Sequence, residues 1–389
     1  MFNRQKIYTG LAISVGVCTS IGLYLLYRHQ RQISLSKTNR CLTPIPTLSS
    51  LKSRNDYPSV EITSPIDVDN DDSDSIQILN EIQIPSGSVP LTPDQASILT
   101  HFLYETQNNE EQLHQVLTSI ANSSAFKESQ INLANAGCII RLRELLLKTD
   151  NATTKCHIIL ALNNLALNDF AITQFSNIVS IVINLCNVSP VNSSIRLYGL
   201  NLLMNMSVLN YLHEEYMSNI YELGLLIEST IESDDEALSV GKLLVNLSVN
   251  ELNIENLLKL TGVELKLIIN LFTSKIDQST KSEDILLRFL IFYCNVANRI
   301  VNEFKDEDDA NNNHSWLNNP TPQRQGALYF EFFDHDKQIL AKSLLRPHYT
   351  STSINTQMKR LYQLMDKIHQ YQLDINHSTL ITNNYTNSL

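Results

Sequence analysis

Four asparagines stand at regular intervals inside otherwise apolar stretches of this sequence. Asn164 lies in ALNNLALN, Asn205 in LLMNMSVLN, Asn246 in KLLVNLSVN and Asn295 in IFYCNVAN, and the intervals between them are 41, 41 and 49 residues. A carboxamide offers hydrogen-bond donors and an acceptor together, so it can bind the backbone of an extended peptide. It can equally tie its own helix to a neighbouring turn, as a satisfied buried polar group. The sequence favours neither role over the other, and the two are compatible.

The sequence contains none of the common catalytic patterns. Its ten glycines are scattered, so no phosphate-binding loop is predicted, and neither an HExxH nor a GxSxG motif occurs. His335, between Asp334 and Asp336, belongs to the only cluster of titratable residues that could suggest a catalytic site. It falls on a predicted exposed helix face with no nucleophile nearby in sequence, which favours a solvated surface. We therefore predict a protein that is not an enzyme and that uses no metal, cofactor or small-molecule substrate.

A second periodic series marks the helices that must position the asparagines. Gly137, Asn177, Asn219 and Gly262 follow one another at intervals of 40, 42 and 43 residues. Glycine and asparagine tolerate the left-handed backbone conformation, so each can end one helix and begin the next. Each unit is predicted to contain a short helix, a sharp turn, a second helix, a loop and a third helix that carries the asparagine. The longer last interval is attributed to a loop extended by TSKIDQSTKSED.

A period of about 40–47 residues with two or three helices per unit is typical of armadillo and HEAT arrays. The order AGCIIRLRELL before ALNNLAL favours armadillo over HEAT. Such units cannot bury their apolar faces alone and must stack. The predicted fold is therefore all-α, an armadillo-type right-handed α-solenoid whose third helices line the concave face.

The boundaries of the array follow from composition and helix signals. The repeats are predicted over 92–302, beginning at TPDQASILTHFL, with Ser119 at the asparagine position of the first unit. A polar stretch at 303–325 is predicted as a low-complexity insertion. Terminal capping helices are expected at 326–375, and a frayed tail at 376–389.

Charge and cysteine usage restrict the function classes. The net charge is −11, the first acidic residue is Asp56, and no repeat carries a basic stripe, so nucleic-acid binding is not expected. The six cysteines show no CxxC or metal-type clustering and are predicted as free thiols in a reducing compartment. They are Cys18, Cys41, Cys138, Cys156, Cys186 and Cys294.

The amino-terminal region is predicted to anchor the protein in a membrane. After a short tail at 1–6, residues 7–27 are uncharged and long enough to cross the hydrocarbon core as a helix. A cleaved signal peptide is the alternative, but this apolar run is longer than usual and lacks a small-residue cleavage site. The residues that favour a single-pass anchor with the C-terminal side in the cytosol are Tyr8, Tyr24 and Tyr27 at its ends and Arg28 and Arg31 after it. Residues 28–91, basic and then acidic, are predicted as a disordered linker.

Several of these stretches resemble a known family. ANAGCIIRLRELL, ALNNLAL, RLYGLNLLMNMSV, GKLLVNLSVN and EDILLRFLIFYCNVAN are similar to the array of the armadillo-repeat-containing X-linked (Alex) family and its autosomal relative, armadillo-repeat-containing protein ten. The order of anchor, linker and array is also similar. This resemblance implies a protein of the mitochondrial outer membrane that faces the cytosol. It also implies partners of the Miro–TRAK motor-adaptor type and an influence on mitochondrial distribution.

The predicted partner-binding groove consists of the four asparagines together with Lys242. It departs from two known kinds of armadillo groove. Importin-type grooves place a tryptophan four residues before each asparagine, whereas this sequence has Leu160, Asn201, Lys242 and Ile291 there. The lysine-rich groove of catenin-type arrays is also absent, because Lys242 is alone in its row. A soluble or endoplasmic-reticulum-anchored peptide-binding adaptor remains the alternative function.

Overall fold

The computed structural model describes residues 89–106, 109–231, 233–276, 280–306, 326–345 and 351–386. These residues belong to the second of two compact units, Val89–Leu389. The predicted anchor at 7–27, with Tyr8, Tyr24, Tyr27, Arg28 and Arg31, lies outside the described residues, as do the linker before residue 89 and most of the 303–325 insertion. Within the described ranges all regular structure is helical, and none of these helices is both long and apolar enough to cross a membrane.

Sixteen α-helices make up the described part of the chain, and most belong to repeating units. The first unit has α1 and α2, the second α3 to α5, the third α6 and α7, the fourth α8 to α10 and the fifth α11 to α13. Their bounds are α1 Pro93–Glu105, α2 Glu110–Ser123, α3 Lys127–Asn135, α4 Cys138–Lys148, α5 Ala152–Leu165, α6 Val179–Val188, α7 Ser194–Met206, α8 His213–Ser218, α9 Ile220–Thr230, α10 Asp234–Val249, α11 Ile254–Leu257, α12 Leu265–Ile276 and α13 Thr280–Asp306. Short 3₁₀ helices at Ala171–Gln174, Asn210–Leu212 and Glu251–Asn253 open the third, fourth and fifth units.

Polar caps begin several of these helices where the sequence pattern predicts. Thr92 and Gln95 form a reciprocal capping box at the start of α1, where the sequence indicates a capped helix. The loops before three successive third helices end in a side-chain cap. Asn109 accepts from the backbone of Gln112, Asn151 from Thr154 and Ser193 from Arg196.

The turns between the first and second helices use the left-handed conformation at three of the four predicted positions. Gly137, Asn177 and Gly262 have φ values of 75°, 62° and 73°. Asn219 differs, with φ −113° and ψ 31°. Its side-chain amide donates to the Glu215 carbonyl 2.7 Å away, which caps the end of α8 and lets α9 begin without a left-handed residue.

The long interval before Asn295 is not a long loop. Helix α12 continues to Ile276 and α13 begins at Thr280, so most of TSKIDQSTKSED is helical. The predicted loop extension is therefore wrong over those residues. The extra length is taken up by the two helices, and α13 reaches 27 residues.

The third helices stack side by side as one continuous layer: α2 contacts α5, α5 contacts α7, α7 contacts α10 and α10 contacts α13. Their inward residues form a continuous apolar core, in which Leu162, Leu203, Leu244 and Phe292 are fully buried. This arrangement confirms the all-α, armadillo-like solenoid.

The carboxyl-terminal helices form a further three-helix unit. They are α14 Ala327–Phe333, α15 His335–Leu344 and α16 Thr352–Thr386. Helix α16 packs on α13 as the next third helix, and α15 packs on α12 as the next second helix. The sequence predicts only capping helices ending at 375 and a frayed tail, but α16 continues to Thr386.

Gly326 allows this last unit to join the array closely. A Cβ atom at this position would lie 2.3 Å from the backbone carbonyl of Lys259, so no larger residue fits. The amides of Leu328 and Tyr329 then donate to the carbonyls of Leu260 and Leu258, at 3.2 and 3.0 Å. These contacts hold the start of α14 against the end of the fifth unit's first helix.

Candidate peptide-binding groove

The four repeating asparagines lie on four successive third helices, α5, α7, α10 and α13. We call the surface of these helices that carries Asn164, Asn205, Asn246 and Asn295 the asparagine face. The regular spacing in sequence becomes a regular row because each third helix packs beside the next. The structure thus brings the four asparagines onto adjacent helices, and their role as a binding site stays a prediction.

Each asparagine uses an amide N–H to hold its helix to the preceding third helix. Asn164 Nδ2 donates to the Ala121 carbonyl at 2.9 Å, and Asn205 Nδ2 to Asn163 Oδ1 at 2.8 Å. The last two side chains donate to serine hydroxyls in the same relative position. Asn246 reaches Ser207 at 2.9 Å and Asn295 reaches Ser248 at 3.0 Å. The packing role of the carboxamide is thus present in every unit that carries it.

The oxygen of each carboxamide has a different environment. No described residue donates a hydrogen bond to Oδ1 of Asn164, Asn205, Asn246 or Asn295. Within the described ranges these oxygens are also not among the side-chain atoms that are both buried and unpaired. Asn205 is 9% exposed and the other three are half-buried. The row therefore presents acceptors, suited to the N–H groups of an extended peptide, while its donors contribute to packing.

The row four residues earlier forms a largely uncharged strip beside the asparagines. Leu160, Asn201, Lys242 and Ile291 are all half-buried, and Asn201 Oδ1 accepts from the Ser239 hydroxyl at 3.0 Å. Lys242 is the only charged residue in this row. The strip therefore has no tryptophan and one cation, as the sequence predicts.

Two helical turns before the asparagines lies a group of residues that the sequence analysis did not single out. His157 and Tyr198 both stand seven residues before a repeating asparagine and are half-buried. His157 packs edge-on against His114, with ring centroids 4.7 Å apart, and His114 Nε2 lies 2.9 Å from the Thr154 hydroxyl. Burial and the neighbouring His114 lower the pKa of His157. The seven-residue offset from the first two asparagines was the available sequence signal for this aromatic end of the face, since Ser239 and Arg288 occupy the position before the other two.

A buried ion pair fixes two of the helices that form the asparagine face. Arg196 on α7 and Glu236 on α10 are 3% and 0% exposed, and Arg196 Nε lies 3.0 Å from Glu236 Oε2. Arg196 also donates to the carbonyls of Cys186 and Ser189 at 3.2 and 3.3 Å. Glu236 accepts the backbone N–H of Asn192 at 2.6 Å. Because both charges are satisfied, the pair can define the register of α7 against α10.

The structure also places the His335 cluster and the cysteines that the sequence analysis considered. Asp334 caps α15 by accepting from the amides of Asp336 and Lys337, both at 3.0 Å, and His335 is exposed. Burial raises the pKa of the Cys138, Cys186 and Cys294 thiols to about 12, so these cysteines are poor nucleophiles. In the part of the chain that the structure describes, no group of three or more His, Cys, Asp or Glu residues is placed to hold a metal ion. Cys138, Cys156, Cys186 and Cys294 are free, as predicted.

Comparison with known proteins supports the same fold. An engineered protein of known crystal structure matches with a TM-score of 0.52 and 16% sequence identity, over 70% of this chain and 58% of that chain. This chain thus spans little more than half of that protein's length, and the likeness at this identity concerns the fold alone. A chain from work on a phosphorylation switch that controls the interaction between cadherin and beta-catenin matches over 70% of this chain and 68% of its own. Its TM-score of 0.38 and sequence identity of 14% are too low to indicate a shared fold.

A comparison with known protein families gives a match that includes the repeating units. Residues 91–317 match the armadillo-like family, a range that contains the first five units and all four repeating asparagines. It ends before α14, so the sixth unit extends the array beyond the matched range. Since the match covers more than half of the chain, this protein belongs to the armadillo-like family.

Proposed function

We propose that this protein is a membrane-anchored armadillo scaffold that binds an extended segment of a partner protein along the asparagine face. The observation that carries the proposal is the row of four Oδ1 acceptors on α5, α7, α10 and α13. Acceptors at this regular spacing fit backbone N–H groups of a peptide irrespective of its sequence. Side chains of the peptide would then contact the strip that contains Leu160, Lys242 and Ile291.

We place the scaffold on the mitochondrial outer membrane, with its array in the cytosol. This placement rests on the uncharged stretch at 7–27, the basic residues that follow it and the resemblance to the Alex family. The same resemblance supports partners of the Miro–TRAK motor-adaptor type and an influence on mitochondrial distribution. An anchor in the endoplasmic reticulum, or no anchor at all, is the alternative.

Tethering explains how a mostly uncharged face could suffice for binding. A surface held on a membrane meets partners on that membrane at an effective concentration of about millimolar when the linker is short and flexible. The linker from residue 28 to 91 has roughly 60 residues, and as a flexible coil it would have a root-mean-square reach of roughly 40–50 Å. Weak contacts along the asparagine face would therefore be adequate for adaptors on the same membrane.

The decisive experiment separates the anchor from the array. Three proteins are expressed: the full chain, a chain without residues 1–40, and that shortened chain fused to an unrelated outer-membrane anchor. We expect the first and third to redistribute mitochondria in imaging, and the second to have no effect. The proposal is wrong if the shortened chain moves mitochondria equally well or if the fused anchor fails to restore the effect. Reticular staining of the tagged full chain would instead favour the endoplasmic reticulum.

A further inference from the structure

Exposed apolar side chains recur at one place in three consecutive units, directly after the repeating asparagines. Phe170, Tyr211 and Leu252 each stand six residues after a repeating asparagine and are 47%, 48% and 87% exposed. Val208 and Val249, three residues after an asparagine, are 51% and 68% exposed. Large apolar residues scattered singly on a surface are ordinary, but a row at a constant repeat position indicates a contact surface.

These residues lie where a third helix ends and the next unit begins. We call the segments 167–176, 208–218 and 249–258 together the turn edge. Direct contacts join its neighbouring segments. The Tyr211 hydroxyl donates to the Ile172 carbonyl. The buried His213 joins the second segment to the third, because its Nδ1 accepts from Asn253 Nδ2 at 2.8 Å. The turn edge is therefore one continuous surface.

The exposed side chains are held outward by hydrogen-bonded turns. Asn168 Oδ1 accepts from the amides of Phe170 and Ala171, at 2.9 and 3.3 Å. Asn250 Oδ1 accepts from the Leu252 amide at 3.2 Å in the corresponding turn. Such turns preset the backbone that carries Phe170 and Leu252. A partner would consequently lose little free energy to ordering of this surface when it binds.

The turn edge is acidic as well as apolar. Its three segments contain five carboxylates and no lysine or arginine. Four of these residues have partners within the protein: Glu251 lies 3.4 Å from Arg299, Glu215 accepts the Asn177 amide at 2.7 Å, and Asp169 and Glu255 make interactions of their own. Arg143 donates to the Ser176 carbonyl at 3.2 Å, so five carboxylates stand against two arginines at this edge. The five are Asp169, Glu214, Glu215, Glu251 and Glu255. A partner that matches this surface must combine apolar residues with positive charge.

We propose that the turn edge is a second protein-binding surface and that it takes a basic amphipathic α-helix. Packed helices lie about 8–10 Å apart, so neighbouring turn segments repeat at roughly that distance. Seven residues of an α-helix span about 10.5 Å, so a helix along the edge places one apolar residue per unit in each heptad. An extended peptide needs partners for its backbone groups, and the Asn168 and Asn250 oxygens on this edge already accept hydrogen bonds from their own turns. A second copy of this chain would bring acidic residues against acidic residues, which disfavours self-association.

The test uses a defined probe and the full chain. The protein is held in nanodiscs of phosphatidylcholine, a zwitterionic lipid, with empty nanodiscs as the blank. The probe is a fluorescent peptide of about 21 residues, or three heptads, with a leucine stripe flanked by lysines. A second peptide replaces every lysine by glutamate. We expect the basic probe to bind at least about tenfold more tightly than the acidic one in fluorescence anisotropy, and its affinity to fall with added salt.

Two sets of variants locate the binding. Phe170→Ser, Tyr211→Ser and Leu252→Ser together should weaken binding of the basic probe by about tenfold or more. Glu214→Gln with Glu251→Gln leaves the apolar row intact and should also weaken it, so the test does not depend on the triple variant's folding. The control changes three apolar residues of second helices that are 46%, 63% and 62% exposed, namely Ile140→Ser, Leu147→Ser and Tyr221→Ser. It should leave probe binding unchanged.

Three results would overturn the proposal. One is equal binding of the basic and acidic probes. Another is a loss of binding in the Ile140, Leu147 and Tyr221 control that matches the loss in the turn-edge variants. The third comes from sedimentation: if the wild type self-associates and the turn-edge variants do not, the surface serves a second copy of the chain. The mitochondrial experiment tests the anchor, whereas the variants used here change Phe170, Tyr211, Leu252, Glu214 and Glu251 and leave the four asparagines intact, so the two proposals can fail independently.

Discussion

Asn246 shows how one side chain can serve packing and binding together. Its Nδ2 donates to the Ser207 hydroxyl at 2.9 Å and to the Met204 carbonyl at 3.2 Å, while no described residue donates to its Oδ1. The amide thus turns its donors toward the preceding helix and leaves its acceptor for a ligand. A leucine at this position would pack but would offer neither hydrogen bond.

The first prediction separates these two uses of the amide. Asn246→Ala and Ser207→Ala should each lower the free energy of unfolding by roughly 1–3 kcal/mol, because each breaks the same interhelical hydrogen bond. Only Asn246→Ala also removes the acceptor. We therefore expect it alone to weaken binding of a peptide selected against the wild-type protein, measured by calorimetry on the samples used for melting. Equal losses of affinity in the two variants would mean that the amide acts through packing only.

The buried pair of Arg196 and Glu236 carries the second prediction. Glu236→Ala leaves a charged guanidinium buried and without its carboxylate, which should cost about 3–5 kcal/mol in the free energy of unfolding. Asp284→Ala is the control. Asp284 also pairs with an arginine, Arg288, but the two side chains are 38% and 30% exposed, so its loss should cost at most about 1 kcal/mol. Urea denaturation of both variants measures the difference, and similar costs would contradict a structural role for the buried pair.

The turn between the first and second helices sets the geometry of each repeating unit. Gly137, Asn177 and Gly262 turn the chain sharply between the first and second helices, and Asn219 reaches a similar turn through a side-chain cap. In the sixth unit the same task falls to Asp334, which ends α14 and caps α15. Different residues thus produce one repeated element because several local hydrogen-bond patterns can end a helix.

Glu331 on α14 carries a prediction about this last unit. Its side chain lies in a cleft between α12, α14 and α15, where burial raises its pKa from its usual 4.5 to about 7, with Glu264 and Asp334 adding to the shift and Lys337 opposing it. The pKa of Glu331 is higher in the folded protein than in the unfolded chain, so the neutral carboxyl group favours the folded state. Its contribution to the free energy of unfolding is complete below pH 4.5 and is lost as the pH rises through 7.

We therefore expect Glu331→Gln to be more stable than the wild type at pH 8, by roughly 2–3 kcal/mol. At pH 4 the two proteins should be nearly equally stable, because both side chains are then neutral. Denaturant unfolding across this pH range makes the comparison. Glu264→Gln, which changes a neighbouring carboxylate, should have a smaller effect. A constant difference between wild type and Glu331→Gln at all pH values would contradict the assignment.

The whole described unit is a layered stack in which each third helix contacts the next. This geometry gives two long surfaces that repeat from unit to unit, the asparagine face and the turn edge. In the function that we propose, this molecule acts by holding partners at defined positions. Its location then becomes part of its mechanism, which is why the amino-terminal stretch matters.

The last prediction concerns this location. The uncharged stretch at 7–27 followed by Arg28 and Arg31 leads us to expect membrane association that resists alkaline carbonate. Protease added to intact mitochondria should digest the array while leaving matrix proteins protected, because we place the array in the cytosol. The chain without residues 1–40 serves as the control and should be released by carbonate. Extraction of the full chain, or protection of the array, would contradict the predicted topology.

Much of the fold could be read from the sequence because it depends on local and repeated features. The recurrence of Asn164, Asn205 and Asn246 at 41 residues, with residues suited to left-handed turns between them, was sufficient to predict stacked three-helix units. Hydrophobic periodicity and turn chemistry act over a few residues, so a single chain displays them directly. The repeat then predicts which residues share a face, since successive units must bury the same side.

Contacts between units decided the rest. Whether each amide would donate inward, whether Arg196 and Glu236 would meet, and whether α14 to α16 would join the array all depend on residues about 40 or more positions apart. The sequence predicts α14 to α16 only as capping helices and not as a sixth unit, because no repeating asparagine marks them and because residues 303–325 interrupt the period. The exposure of Phe170, Tyr211 and Leu252 was equally hidden, since an apolar residue in a sequence favours burial and only the packed neighbours determine whether room exists for it.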